Sequence, residues 1–463
     1  MQDRSPGVKL FVAGALGLVL LIPLMLVYGL VSDRQHQARV AQDSITQGWG
    51  GAQTVAGPVM VIPYRAERST TEVVDGKSVT RTRMVREELF LSPQTQTARA
   101  DIDPESRSKS IYETVTYLAQ LEGTAVFVLP EDLSRSGVDR DQLLLDEVEL
   151  RFGASDPRGL QSDARALVAG KALDLKPGNG PASTGGAGFH GFVEWGEDRS
   201  VRVEWSYSLR GSRSLALVPR GGSTEWTVTS SWPHPNFGGS FLPDSREITG
   251  SGFTATWSIA NLALGQSVVS STDFGPPILR EDGGAYMAEP AVVPARDGAS
   301  GPSMAATISL IEPVDVYSQV DRSVKYGFLF IGFTFLAYLM FDIIAGARVA
   351  AAEYLLTGVG LVLFFVLLLA FAEVTGFTIA YLVASGAIIA LLTAYSAAIL
   401  GSWVRARVIG GMLVGLYAVL YVLLSLEAFS LLIGSVLLFI ALAGVMYATR
   451  NIEWGMAQEE SLA

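Results

Sequence analysis

The spacing of apolar residues divides the chain into very different parts. Five hydrophobic runs follow one another near the C-terminus, at residues 326–344, 354–372, 377–400, 408–426 and 429–448, each of 19 to 24 residues. At about 1.5 Å per residue, such runs are long enough to cross a ~30 Å hydrocarbon core. They are apolar all round rather than along one 3.6-residue face, which predicts membrane-spanning helices. A sixth run occupies residues 10–31. It exceeds the roughly 7–15 apolar residues of a signal peptide and lacks an Ala-x-Ala-like end, so it predicts an uncleaved anchor.

Between these runs the pattern changes. Residues 32–48 continue the helical pattern of the anchor. After Gly50-Gly51 come short β-type runs at 59–64, 125–129, 148–152, 200–207, 224–230 and 252–257. The stretch Val201-Arg202-Val203-Glu204-Trp205 alternates strictly, as a half-buried strand does. Gly, Pro, Asp and Ser fill the breaks. Residues 176–191 and 290–302 predict loops or linkers, and residues 156–168 a short helix. Pro104-Glu105-Ser106-Arg107 returns as Pro243-Asp244-Ser245-Arg246, which leaves room for two related β subdomains. The predicted fold class is a six-helix membrane protein with a large mainly-β domain. Its divisions are 1–31 (N-terminus and anchor), 32–325 (β-rich domain), 326–448 (five-helix bundle) and 449–463 (tail).

Charge supplies orientation. Arg4 and Lys9 precede the anchor, and Arg348 after two crossings, Arg405 and Arg407 after four and Arg450 after six fall on the same side. The positive-inside tendency puts both termini in the cytoplasm and the β domain in the periplasm. Glu373 and Glu427 occupy the short outer turns. Arg322 and Lys325 run against the pattern and read as the close of a large translocated domain.

Composition then narrows the chemistry. Residues 32–325 hold 37 of the 45 acidic and 28 of the 34 basic residues, a net charge of −9. An acidic domain without a basic stripe suits neither nucleic acid nor an anionic membrane surface, so no nucleic-acid partner is expected. The chain has no cysteine, which excludes thiol chemistry, iron–sulfur clusters and cysteine-based zinc sites. His36, His190 and His234 have no partner at metal-binding spacing, and no cofactor is expected. Gly186, Gly188 and Gly191 form a G-x-G-x-x-G pattern without the strand before it and helix after it that dinucleotide binding requires; it reads as a flexible loop. Charged residues of the C-terminal spans sit at their ends, with Asp342 nearest to burial and Arg348 its expected partner. That argues against ion-coupled transport, while neutral hydroxyls keep open a transporter or channel for a small envelope solute. Glu373 and Glu427 keep open a membrane-embedded activity, but no catalytic constellation is recognisable.

One stretch is unusually dense. Trp232, Pro233, His234, Pro235, Asn236, Phe237, Phe241, Leu242 and Pro243 combine fixed backbone with large apolar side chains. The aromatic residues either cap the β core or form a recognition patch for a periplasmic protein or envelope component. This is the candidate functional surface.

At this stretch the sequence resembles the CreD family of inner-membrane, cell-envelope integrity proteins. The resemblance rests on residues 231–237, Phe241-Leu242-Pro243, Arg246-Glu247 and Ser251-Gly252-Phe253. It continues in Asp321-Arg322, Lys325-Tyr326, Tyr354-Leu355-Leu356 and Glu373-Val374-Thr375-Gly376-Phe377-Thr378. Gly57-Pro58, Ile62-Pro63 and the closing Thr449-Arg450-Asn451-Ile452-Glu453-Trp454 extend it to both ends. It implies a Gram-negative inner-membrane protein whose expression is tied to a sensor kinase–response regulator pair. It also implies roles in envelope stress, colicin tolerance and the β-lactam response, and it brings no catalytic residues.

Overall fold

The computed structural model describes residues 6–74, 77–133, 136–196, 199–279, 301–310, 316–344, 349–425 and 430–450. Two compact units emerge, residues 41–313 and residues 1–40 with 314–463. A 44-residue helix, α1 (Pro6–Trp49), contributes to both.

Residues 41–313 form a sandwich of two sheets. The first has the order β13 (Pro235–Gly239), β17 (Ala306–Leu310), β11 (Ser214–Val218), β1 (Gln53–Val74), β5 (Val148–Ala154), β9 (Gly188–Val193), β8 (Lys176–Pro177). β2 (Lys77–Leu91) also pairs with β1, and β16 (Val269–Ser270) with β2. The second runs β14 (Ser245–Thr249), β15 (Gly252–Ala260), β12 (Ser223–Ser230), β3 (Thr95–Lys109), β4 (Tyr112–Val128), β10 (Ser200–Ser212), β6 (Arg165–Val168), β7 (Lys171–Ala172). One helical turn, α2 (Asn261–Leu264), follows β15. Strict alternation in β10 buries Val201, Val203, Trp205 and Tyr207 on one face, as its sequence predicts. Across the sandwich Phe152 meets Trp205 at 6.2 Å and Phe189 meets Tyr207 at 5.3 Å. A single core therefore serves both sheets. The repeated Pro-acid-Ser-Arg sequence does not divide this unit: its first copy lies inside β3, and its second leads into β14 at a sheet edge.

Two local expectations give way to tertiary context. Residues 156–168 form a 3₁₀ turn (Pro157–Gly159) followed by the short strand β6, paired between β10 and β7, not a helix. Asp156 accepts the Arg158 N–H and Pro157 starts the turn. A Cβ on Gly159 would lie 2.3 Å from the Arg210 carbonyl oxygen, so the chain leaves the turn in close contact with β10. Residues 176–191 are no linker either. Phe189 joins the core and β9 pairs with β5, while Ala182, Ser183 and Thr184 are buried. Gly188 shows why glycine is used there: its φ is +140°, and a Cβ would sit 2.0 Å from the Phe152 carbonyl oxygen. The G-x-G-x-x-G pattern thus leaves a turn at Gly186 and runs as strand β9 from Gly188 to Gly191.

The end of α1 is fixed to the β unit by side chains of its own last turns. The Trp49 indole lies between the guanidinium groups of Arg107 and Arg210, at 3.6 and 4.2 Å from its ring centroid, and donates to the Tyr117 carbonyl. Just beyond, the Gly51 N–H donates to Asp156 Oδ2 at 3.2 Å, and Arg158 Nη2 lies 2.7 Å from the same oxygen. The hydrogen bond from Arg158, foremost, holds the Asp156 carboxyl below its ordinary range. A depressed carboxylate stabilises the fold above its unfolded value of about 4 and loses that contribution as pH falls through the folded value. Asp156→Asn is therefore expected to remove one group's share of the stability lost below pH ~4, making the acid side of a melting-temperature profile less steep. An unchanged acid limb would assign that dependence to other carboxylates.

The other unit contains helices α3 (Val316–Lys325), α4 (Gly327–Ile344), α5 (Ala351–Thr375), α6 (Phe377–Ile399), α7 (Trp403–Ser425) and α8 (Ser430–Thr449). Among the described residues, five stretches are long and apolar enough to cross a membrane: Gly7–Trp49, Val316–Ile343, Ala351–Thr375, Phe377–Ile399 and Trp403–Leu424. α8 adds a 20-residue helix without a charged side chain. Leu20 of α1 fills the gap left by Gly358 of α5, where a Cβ would lie 2.0 Å from Leu20 Cδ1. The residues ahead of α4 were not recognised as helical from sequence. They form the amphipathic α3, with Val320, Ser323 and Val324 buried and a Lys325–Asp321 pair at 2.6 Å. Charges and small polar residues at one face obscured its short apolar stripe.

Candidate functional site

The segment after β12 moves from one sheet of the sandwich to the other and back. At Trp232 the chain bends: its backbone N–H donates to Ser230 Oγ at 3.2 Å, and its indole N–H donates to the His234 carbonyl at 3.1 Å. Pro235 then opens β13, the end strand of the first sheet, where a missing N–H costs no interior ladder bond. Among the described residues β13 pairs with β17 alone. Ser240 donates to the Ala305 carbonyl at 2.7 Å, and the chain recrosses through Phe241, Leu242 and Pro243. Asp244 anchors the return: its N–H donates to the Thr256 carbonyl, and its Oδ2 accepts the Ser258 N–H at 2.6 Å. β14 follows as the end strand of the second sheet, paired among the described residues with β15 alone.

This path separates the nine residues singled out from sequence. Phe237 meets Phe253 at 5.6 Å and Trp257 at 5.8 Å, both edge-on, and the Trp257 indole N–H donates to the Phe241 carbonyl at 3.2 Å. Trp232, Phe237 and Phe241 are half-buried against the common core. Pro233, Pro235, Asn236 and Pro243 are also half-buried, whereas His234 and Leu242 are exposed, Leu242 by 65%. The aromatic side chains thus fasten the crossing to the core, and the crossing holds Leu242 out. Every residue of β14 is exposed, Ile248 by 47%. Sequence reasoning missed β14 because five residues are too few for a clear alternation. The result is a pair of strand edges, open among the described residues and joined by one crossing, with two exposed aliphatic side chains. Open edges carry unpaired N–H and C=O groups that accept an added strand, and exposed aliphatic groups favour a partner that buries them.

Other polar clusters have structural partners. Arg151, almost fully buried, is held by Glu88 at 2.6 Å and Glu149 at 2.9 Å. Burial, then a hydrogen bond to Glu87, pushes Tyr64 up to about 12. Hydrogen bonds from Arg68 and Tyr64 hold Glu87 below its usual range. Among the described residues, no three His, Asp or Glu side chains converge as metal ligands. In the membrane unit, Asp342 is 4% exposed and pairs with Lys9 at 2.9 Å. The sequence had pointed to Arg348 instead; Arg348, Glu427 and residues 290–300 lie outside the described residues. Glu373 accepts a hydrogen bond from the Tyr317 hydroxyl at 3.2 Å, and Arg34 lies 3.8 Å away. Asp342 and Glu373 are therefore engaged in joining helices of this unit.

Comparison with known proteins places these features in a family. The family model described as "Inner membrane protein CreD" matches residues 5–455. The curated "Inner membrane protein CreD" of Escherichia coli (strain K12) is 33% identical over 444 residues, which cover 94% of this chain and 91% of that protein.

Proposed function

Because the chain belongs to the CreD family of inner membrane proteins, we propose that it supports cell-envelope integrity by binding an envelope component or periplasmic protein through its β unit. The observation that carries this reading is the double edge at residues 232–249. A segment fastened by three aromatic residues presents two open strands and the exposed Leu242 and Ile248. Such a surface is built to bind rather than to transform a substrate. In this reading the chain crosses the membrane six times, with α8 as the last span, both termini in the cytoplasm and the β unit in the periplasm. The arginines at 405, 407 and 450 support that orientation.

The test is dye uptake in a strain lacking the protein. The full chain should restore exclusion of a normally impermeant dye. Leu242→Asp with Ile248→Arg should insert and fold, because both side chains are exposed, yet leave uptake at the deletion level. Full rescue by that variant would remove the double edge as the working surface. Residues 1–325 form a further arm: rescue without the bundle would locate the activity in the β unit. A need for the whole chain would raise the alternative of a transporter or channel. The pairing of half-buried Lys9 with buried Asp342 is the observation that favours that alternative.

A further inference from the structure

β1 and β2 pair continuously from Met60 opposite Leu91 to Val74 opposite Lys77. Their other neighbours stop early. β5 follows β1 only to Val61, and β16 reaches β2 only at Phe90 and Leu91. From Arg65 opposite Arg86 outward, the hairpin is a two-stranded ribbon without a third strand among the described residues. Its ten register pairs span about 33 Å. A bare ribbon is marginally stable in water, and like charges placed directly opposite weaken it further. This one sets Arg65 against Arg86 and Arg68 against Arg83. Residues 65–86 carry six basic and three acidic residues, a local charge of +3 within a domain of net charge −9. The linear sequence shows no basic stripe; strand register brings Arg68 of one stretch beside Arg81 and Arg83 of the other, with Arg65 and Arg86 on the opposite face.

Alternation places Arg81 and Arg83 on one face of β2, with Arg68 directly across from Arg83 on the same face. All three are exposed. Arg68 is committed to Glu87 at 2.6 Å, while Arg81 and Arg83 form no ion pair among the described residues. Two exposed guanidinium groups about 7 Å apart on an extended strand face suit a planar array of phosphates, each of which a planar fork can grip through two hydrogen bonds. We propose that this face docks on the phosphodiester headgroups of an anionic phospholipid surface. A bilayer is always at hand for an inner membrane protein, which raises the effective concentration of that partner above any soluble anion.

The experiment uses the full chain in nanodiscs of zwitterionic lipid, mixed with added vesicles of phosphatidylglycerol or phosphatidylcholine and read by co-flotation. Phosphatidylglycerol vesicles should be captured and phosphatidylcholine vesicles should not. Arg81→Glu with Arg83→Glu should weaken capture by about thirtyfold or more, and salt on the order of 0.5 M should abolish it. Arg81→Gln with Arg83→Gln serves as the milder pair should charge reversal disturb folding, and it should lower capture in the same direction. The Leu242→Asp, Ile248→Arg variant should float as the parent does, which separates this surface from the double edge. Equal capture of both vesicle types, or capture unaffected by both arginine pairs, would overturn the proposal. So would full competition by millimolar inorganic phosphate, which would point to a free-ion site, or capture of polyglutamate without vesicles, which would point to an acidic protein.

Discussion

Asp273→Ala is expected to destabilise the β unit by about 3–5 kcal/mol, the range typical for breaking a buried ion pair from one side. Asp273 and Arg220 are each 6% exposed and paired. The carboxylate also accepts the Ala182 N–H at 2.6 Å and the Phe274 N–H at 3.0 Å. Its loss would strand a guanidinium away from water, with Nε already lacking a partner among the described residues, and would release the turn at residues 182–184. Replacing both partners by apolar residues, Asp273→Leu with Arg220→Met, should cost much less, because no charge is then left buried. Urea unfolding of the full chain followed by tryptophan fluorescence checks both. A single-variant loss below about 1 kcal/mol would mean that water reaches Arg220.

Trp257→Ala should cost a similar ~3–5 kcal/mol, but its consequence is more local to function. Trp257 is fully buried, lies 4.6 Å from Trp226 between ring centroids, meets Phe237 edge-on, and holds the Phe241 carbonyl. Removing it opens a cavity under the crossing segment and frees that carbonyl. Trp257→Phe keeps most of the ring and loses the hydrogen bond, worth about 1 kcal/mol. Hydrogen exchange should therefore quicken at residues 236–249 in the Phe variant before global stability falls far. Unchanged exchange there would mean that the crossing is held by Phe237 and Asp244 without the indole.

How much of this was legible depended on what set each element. The long apolar runs and the strict alternation of β10 are decided by burial alone, and a linear sequence reports burial well. Trp232, Phe237 and Phe241 stood out because large apolar residues among prolines are costly to expose. Their division of labour with Leu242 depends on which sheet each segment joins, which their own sequence does not encode. The turn at residues 182–184 was misread because glycine and proline mark sharp backbone geometry as well as flexibility, and only Phe152 and Asp273, distant in sequence, decide between the two. Likewise, Asp342 found Lys9 more than three hundred residues away, and the arginines of the ribbon became neighbours only through register.

The strand order also constrains when this protein can finish folding. β1 is synthesised early, yet Gln53 and Thr54 wait for Leu215 and Ala216 of β11 to supply their parallel neighbour. β11 and β13 in turn both wait for β17, the last strand delivered, to join them. Until residues 306–310 arrive, two strands stand with unbonded edges, the state most open to wrong partners during synthesis. Completion thus coincides with the start of the C-terminal helices. A nascent chain stalled before β17 would be the species most dependent on chaperones and most readily cleared by proteases.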